Sequence, residues 1–141
     1  MKFTKYFLLL FALILLVMTG CSIGIENEKQ NIKVQQCIGN ENNYEDFNEI
    51  TNNGQVRKVR KIFDKANWEN VKVDMTRPAD YRFTFQFKNP AIEAKAVLYE
   101  LWISPNKDKV EVVRGGREYV QLSKEDSASL FEILIGEKLG R

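Results

Sequence analysis

Eight consecutive residues, Tyr81-Arg82-Phe83-Thr84-Phe85-Gln86-Phe87-Lys88, place four aromatic side chains on one parity and four polar ones on the other. A period of two is the repeat of a β-strand, and this alternation fits a strand with one buried and one wet face. Such a strand belongs in an antiparallel sheet, because parallel strands are covered on both sides and read as continuous apolar runs. The rest of the chain must supply neighbours for this strand and a layer over its aromatic row.

Neighbours are legible on both sides. After the turn pair Asn89-Pro90, Lys95–Ser104 predicts a strand with Val97, Tyr99, Leu101 and Ile103 inward and Glu100 outward. Leu98 and Trp102 then fall on the nominally wet face, either covered by a loop or the first amphipathic helix, or forming a small patch for a partner. Pro105-Asn106-Lys107-Asp108 predicts a turn, Lys109–Arg114 another strand, and Gly115-Gly116 a hairpin turn into Glu118–Leu122. Upstream, Val71–Met75 predicts a strand. Ile32–Ile38 and the shorter Phe47–Thr51 predict two more around the Asn/Gly/Glu-rich loop Gly39–Asn43.

The covering layer is helical. Asn52 or Asn53 caps a helix to about Ala66, with Val56, Val59, Ile62, Phe63 and Ala66 on one face. Ser123 and Asp126 form a near capping box for a second helix, with Leu130, Phe131 and Leu134 as its stripe and Gly136 as its stop. This last helix is expected to close the sheet against the Tyr81/Phe83/Phe85/Phe87 row. The fold class is therefore α+β: two layers, a mainly antiparallel sheet of four to six strands and two helices on one face. It occupies a single domain over residues 32–136, followed by a frayed tail at 137–141.

The N-terminus is an address rather than part of that domain. Lys2 and Lys5 precede an apolar run from Phe7 to Met18, too short for the about 20 apolar residues of a spanning helix. Val17-Met18-Thr19-Gly20-Cys21 resembles the lipobox of bacterial lipoproteins. The resemblance implies a diacylglyceryl group on the Cys21 thiol, cleavage between Gly20 and Cys21, and palmitate-type chains holding the protein to the outer side of a cell membrane. Residues 1–20 are then a signal peptide and 21–31 a polar tether. A pair of acyl chains anchors stably where a single one is marginal.

Composition narrows the chemistry. The chain has no histidine, which excludes Ser-His-Asp and Cys-His catalysis and imidazole metal sites. The formal charge of +2 is carried by Lys2 and Lys5, so the remainder is balanced and gives no case for nucleic-acid binding. With Cys21 acylated, Cys37 stands alone and reads as a small buried hydrophobe. No residue pattern calls for a metal or another cofactor.

Further motifs carry a family likeness. Ala66-Asn67-Trp68-Glu69, Arg77-Pro78-Ala79-Asp80-Tyr81, Leu101-Trp102-Ile103-Ser104 and Tyr119-Val120-Gln121-Leu122-Ser123 resemble the YhfM-like domain of lipoproteins from Gram-positive bacteria. The likeness runs from about Phe47 to Ile135, with the lipobox in addition. That family has no assigned biochemical activity, so the resemblance implies location and architecture and no site.

Arg57, Lys58, Arg60 and Lys61 form a basic helix face. It reads as a solvated face partly neutralised by Glu41, Glu45, Asp46 and Glu49, or as a surface for anionic headgroups at about 1 kcal/mol per cation. Together with Trp102 these residues make the candidate surface patch. Arg77-Pro78-Ala79-Asp80 reads as a turn in which Asp80 accepts from backbone amides, and Arg114-Gly115-Gly116-Arg117 as a hairpin rather than a phosphate loop. No carboxylate pair has a local reason to be coupled, so no catalytic residue is assigned. The expectation is a lipid-anchored, extracytoplasmic, non-enzymatic module that binds an envelope protein or ligand. The rivals are a carboxylate-dependent envelope hydrolase or transferase, and an anionic-lipid-binding module.

Overall fold

A computed structural model describes residues 2–18 and 29–141 of the chain. Its first element is α1 (Lys2–Met18), an apolar helix of 17 residues. Among the described residues, no helix is long and apolar enough to cross a membrane. Gly20, Cys21 and most of the expected tether lie outside the described residues.

The strands are β1 (Gln30–Cys37), β2 (Tyr44–Ile50), β3 (Glu69–Asn70), β4 (Tyr81–Phe87), β5 (Tyr99–Ile103), β6 (Val110–Arg114) and β7 (Glu118–Gln121). Two further helices, α2 (Asn53–Lys65) and α3 (Lys124–Ile135), complete the chain. All strands join one antiparallel sheet in the order β2-β1-β4-β5-β6-β7-β3. The fold is α+β as expected, with seven strands instead of four to six and a third helix. The extra strand is the two-residue β3 at the edge, too short to leave a period in the sequence. β1 also begins two residues earlier than expected, taking Gln30 and Asn31 from the tether.

Parity in β4 decides what is buried. Gln30, Ile32 and Val34 of β1 lie opposite Phe87, Phe85 and Phe83, so one face of the two strands is apolar except at its end. α2 buries Val56, Val59, Ile62 and Phe63 on that face, and α3 buries Ser127, Leu130, Phe131, Leu134 and Ile135. The aromatic row is shared between the helices rather than covered by α3 alone. Phe63 stacks on Phe83 at 5.8 Å and on Tyr99 at 5.0 Å, while Phe131 meets Tyr81 edge-on at 6.0 Å.

The helix ends follow their caps. The Asn52 side chain accepts from the Gln55 amide at 3.0 Å, the Ser123 hydroxyl from the Asp126 amide at 3.1 Å, and Gly136 stops α3 at φ 84°. Gly115 and Gly116 both take positive φ in the β6–β7 turn, the backbone that a tight hairpin needs. The tail expected to fray instead sends Leu139 back against the core.

Two strand expectations fail for a common reason, the lack of a partner. Val71–Met75 lies outside the sheet: only Glu69 and Asn70 pair with β7, and the chain then runs as an irregular strap to Asp80. Of Lys95–Ser104, only Tyr99–Ile103 is strand. β5 meets β4 at Tyr81, Arg82 and Phe83 and then diverges, so residues 88–98 form a loop beside the unpaired edge of β4.

Candidate functional site

That divergence opens a cleft on the helical side of the sheet. Beyond Phe83, β4 keeps β1 on one side and has no β5 partner on the other. The space, about 480 Å³, is bounded by Gln30 of β1, Arg60 of α2, Phe85 and Phe87 of β4, Tyr99 of β5, and Asn89, Pro90, Lys95 and Val97 of the loop. A volume of roughly 300–1,000 Å³ is usual for small-molecule sites.

Its chemistry is one-sided. Two cations line it and no carboxylate does. The Arg60 guanidinium lies 4.8 Å from the centroid of the Phe85 ring, a cation–π contact. The Gln30 side-chain oxygen is buried and has no hydrogen-bond partner among the described residues. Asn89 accepts from the Ala91 amide at 3.0 Å, and Lys88 Nζ donates to the Thr51 carbonyl at 2.7 Å, which ties the start of the loop to the residues before α2.

Behind the cleft an aromatic cluster stiffens the wall. Phe83, Phe85 and Tyr99 pack together at 5.0–6.5 Å, and Trp68 reaches Phe63 at 5.7 Å while its Nε1 donates to the Phe63 carbonyl at 2.8 Å. Arg114 lies 4.0 Å above the Trp68 ring and donates to Glu118 at 2.7 Å. That hydrogen bond, ahead of the charge attraction, raises the Arg114 pKa and lowers that of Glu118. Arg114-Gly115-Gly116-Arg117 is a hairpin, as expected.

The opposite face of the sheet takes Trp102 out of the candidate surface patch and bears out the alternative that a loop covers it. Trp102 is only 5% exposed, because the 71–80 strap covers it, and its Nε1 donates to the Arg77 carbonyl at 2.9 Å. The strap is held by Asp80. One carboxylate oxygen accepts from Arg77 at 2.6 Å and the other from the Ile103 amide at 2.7 Å, while Arg77 also donates to the Ile103 carbonyl at 2.8 Å. Leu98 remains partly exposed. Cavities of about 480 and 630 Å³ flank the Arg77–Asp80 pair, which is bonded to itself and to the Ile103 backbone. Nearby, the Tyr119 hydroxyl donates to Glu111 at 2.5 Å. Burial first, and then this bond, push its pKa up to about 12. Cys37 is half-buried, 3.4 Å from the Glu41 carbonyl, rather than a core residue.

The basic face is divided by the fold. Arg57, Lys58, Arg60 and Lys61 are all exposed on α2, and among them Arg60 turns onto Phe85. The ion pairs among the described residues are Arg77–Asp80, Arg114–Glu118 and Lys124–Asp108, and none involves α2. The acids expected to neutralise the face are engaged in part elsewhere: Asp46 accepts from Gln35 and Glu49 from Asn31. Gln30, Asn89 and Lys95 went unrecognised from sequence. For Lys95 the signal is the stretch Pro90-Ala91-Ile92-Glu93-Ala94-Lys95-Ala96, where alternation stops and alanine, poor in strands, recurs.

A profile of the YhfM protein family matches residues 25–139. The match begins ahead of β1 and ends past α3, wider than the span from Phe47 to Ile135 expected from the motifs. No curated protein and no solved structure matches the chain. With the whole sheet and both of its covering helices inside the matched span, this chain belongs to the YhfM protein family.

Proposed function

We propose that this protein is a lipid-anchored, extracytoplasmic, non-enzymatic module that captures an envelope component in the Arg60 cleft. The observation that carries the reading is an aromatic-floored cavity with two cations, no carboxylate and one unpartnered acceptor. Such a lining has the means to hold a ligand and lacks a general base to transform it. The carboxylates best ordered elsewhere, Asp80, Glu111 and Glu118, are each bonded to a structural partner, which weighs against the hydrolase reading. The anchor rests on the lipobox Val17-Met18-Thr19-Gly20-Cys21. Exposed Arg57, Lys58 and Lys61 would then add attraction to an anionic leaflet.

Metabolic labelling with a fatty-acid probe tests the anchor. The wild-type chain should carry the probe and Cys21→Ser should not. A labelled Ser variant, or native protein whose intact mass shows an unmodified Cys21, would remove the anchored reading.

A further inference from the structure

The composition of the cleft narrows its ligand. Arg60 comes from α2 and Lys95 from the 88–98 loop, so two basic residues of separate elements line one cavity whose lining includes no acid. Arg60 lies against the Phe85 ring and makes no hydrogen bond or ion pair among the described residues. A guanidinium held over a ring with no hydrogen-bond acceptor keeps its N–H donors for an oxyanion. Gln30 adds the opposite demand, since its buried oxygen has lost water and gained no donor.

Several classes meet only part of this. A neutral sugar would leave both cations uncompensated. A fatty acid would match the charge and the rings yet leave the Gln30 oxygen unpartnered. A nucleic-acid strand is favoured by a continuous basic groove, and this site is one cavity of about 480 Å³.

Resting on the proposed function and deepening it, we propose that the cleft binds a small phosphate ester with free hydroxyl groups. Arg60 and Lys95 hold the phosphate, Gln30 accepts from a ligand hydroxyl, and the carbon skeleton lies on Phe85, Phe87 and Tyr99. The same chemistry is available from a phospholipid headgroup or from a soluble or polymer-borne ester.

The test uses the full chain in nanodiscs, read by NMR at the Gln30 side-chain amide, the Arg60 Nε–H and the Lys95 backbone amide. In one arm glycerol 3-phosphate is titrated into zwitterionic discs; in the other, phosphatidylglycerol replaces part of the lipid. Saturable shifts at these groups are expected in at least one arm. The soluble arm would identify a free or polymer-borne ester, and the lipid arm alone a headgroup. Arg60→Gln and Lys95→Gln should each weaken binding by about ten-fold or more, the loss expected for a charge-assisted contact. In the glycerol 3-phosphate arm, where the leaflet is zwitterionic, Lys58→Gln and Lys61→Gln should change it less than about two-fold, as expected of screened surface charges. Should Arg60→Gln disturb folding, Lys95→Gln on the exposed loop decides. Absence of shifts in both arms would overturn the proposal, as would equal weakening of glycerol 3-phosphate binding by the Lys58 and Lys61 variants. A chain acylated at Cys21 that binds neither probe sinks this inference alone, whereas a chain never acylated sinks the anchor and leaves the cleft test standing.

Discussion

Ser127→Ala should cost stability although it removes a single oxygen atom. Ser127 is fully buried in α3, and its hydroxyl is inserted at the end of the β6–β7 ladder. The Leu122 amide donates directly to the Val110 carbonyl at 3.0 Å. The reciprocal bond is replaced by the hydroxyl, which accepts from the Val110 amide at 2.9 Å and donates to the Leu122 carbonyl at 3.4 Å. Alanine would strand the Val110 amide, a loss of about 1–3 kcal/mol for a buried unsatisfied donor. The better helix propensity of alanine returns about 0.5 kcal/mol. The net loss is about 0.5–2.5 kcal/mol, which at a urea slope of about 2 kcal/mol/M lowers the midpoint by about 0.3–1.3 M. Equilibrium urea unfolding measures the midpoint, and amide exchange should show Val110 losing protection while Val112 keeps it. An unchanged midpoint with Val110 still protected would refute the role given to this hydroxyl.

Two more outcomes follow from the outer face. The Tyr119 pKa is raised to about 12, so its contribution to stability is complete below the ordinary value of about 10 and disappears as pH climbs from there through about 12. Tyrosinate absorbance should show a late-titrating step that Tyr119→Phe removes and Glu111→Gln moves down; a step unmoved by either variant contradicts this. Asp80→Ala strips the acceptor from Arg77 and from the Ile103 amide, costing about 1–3 kcal/mol and loosening the strap over Trp102. Limited proteolysis should then cut within residues 71–80 sooner and Trp102 emission should shift to the red, whereas an unchanged digestion pattern would show that the strap is held otherwise.

Much of the architecture is written locally. The aromatic alternation in β4, the Asn52 and Ser123 caps, the Gly115-Gly116 turn and the stripes of α2 and α3 are short-range signals, each enforced by backbone geometry within a few residues. Of the turn reading of Arg77-Pro78-Ala79-Asp80 only the Arg77–Asp80 pairing is local, since the amide that Asp80 accepts from is that of Ile103 on β5. The fate of Val71–Met75 and Lys95–Leu98 was not legible, because a strand exists only where another strand offers hydrogen bonds at the right register.

The candidate site belongs to the second group. Arg60 was conspicuous as one of four cations on a helix, yet nothing in the spacing separated it from Arg57, Lys58 and Lys61. Gln30, Arg60, Lys95 and Tyr99 are brought together by the splitting of β5 from β4, an event spread over four elements. Trp102 shows the converse. Its parity put it on the wet face correctly, and only the strap arriving from the 71–80 segment made that face dry around it.

The linear chain thus determined which faces are apolar and where α2 and α3 begin and end, since all of these are read within a few neighbouring residues. Tertiary structure alone decided which side chains meet across the gap in the sheet, because contacts between distant segments depend on which strands find partners and which are left without one.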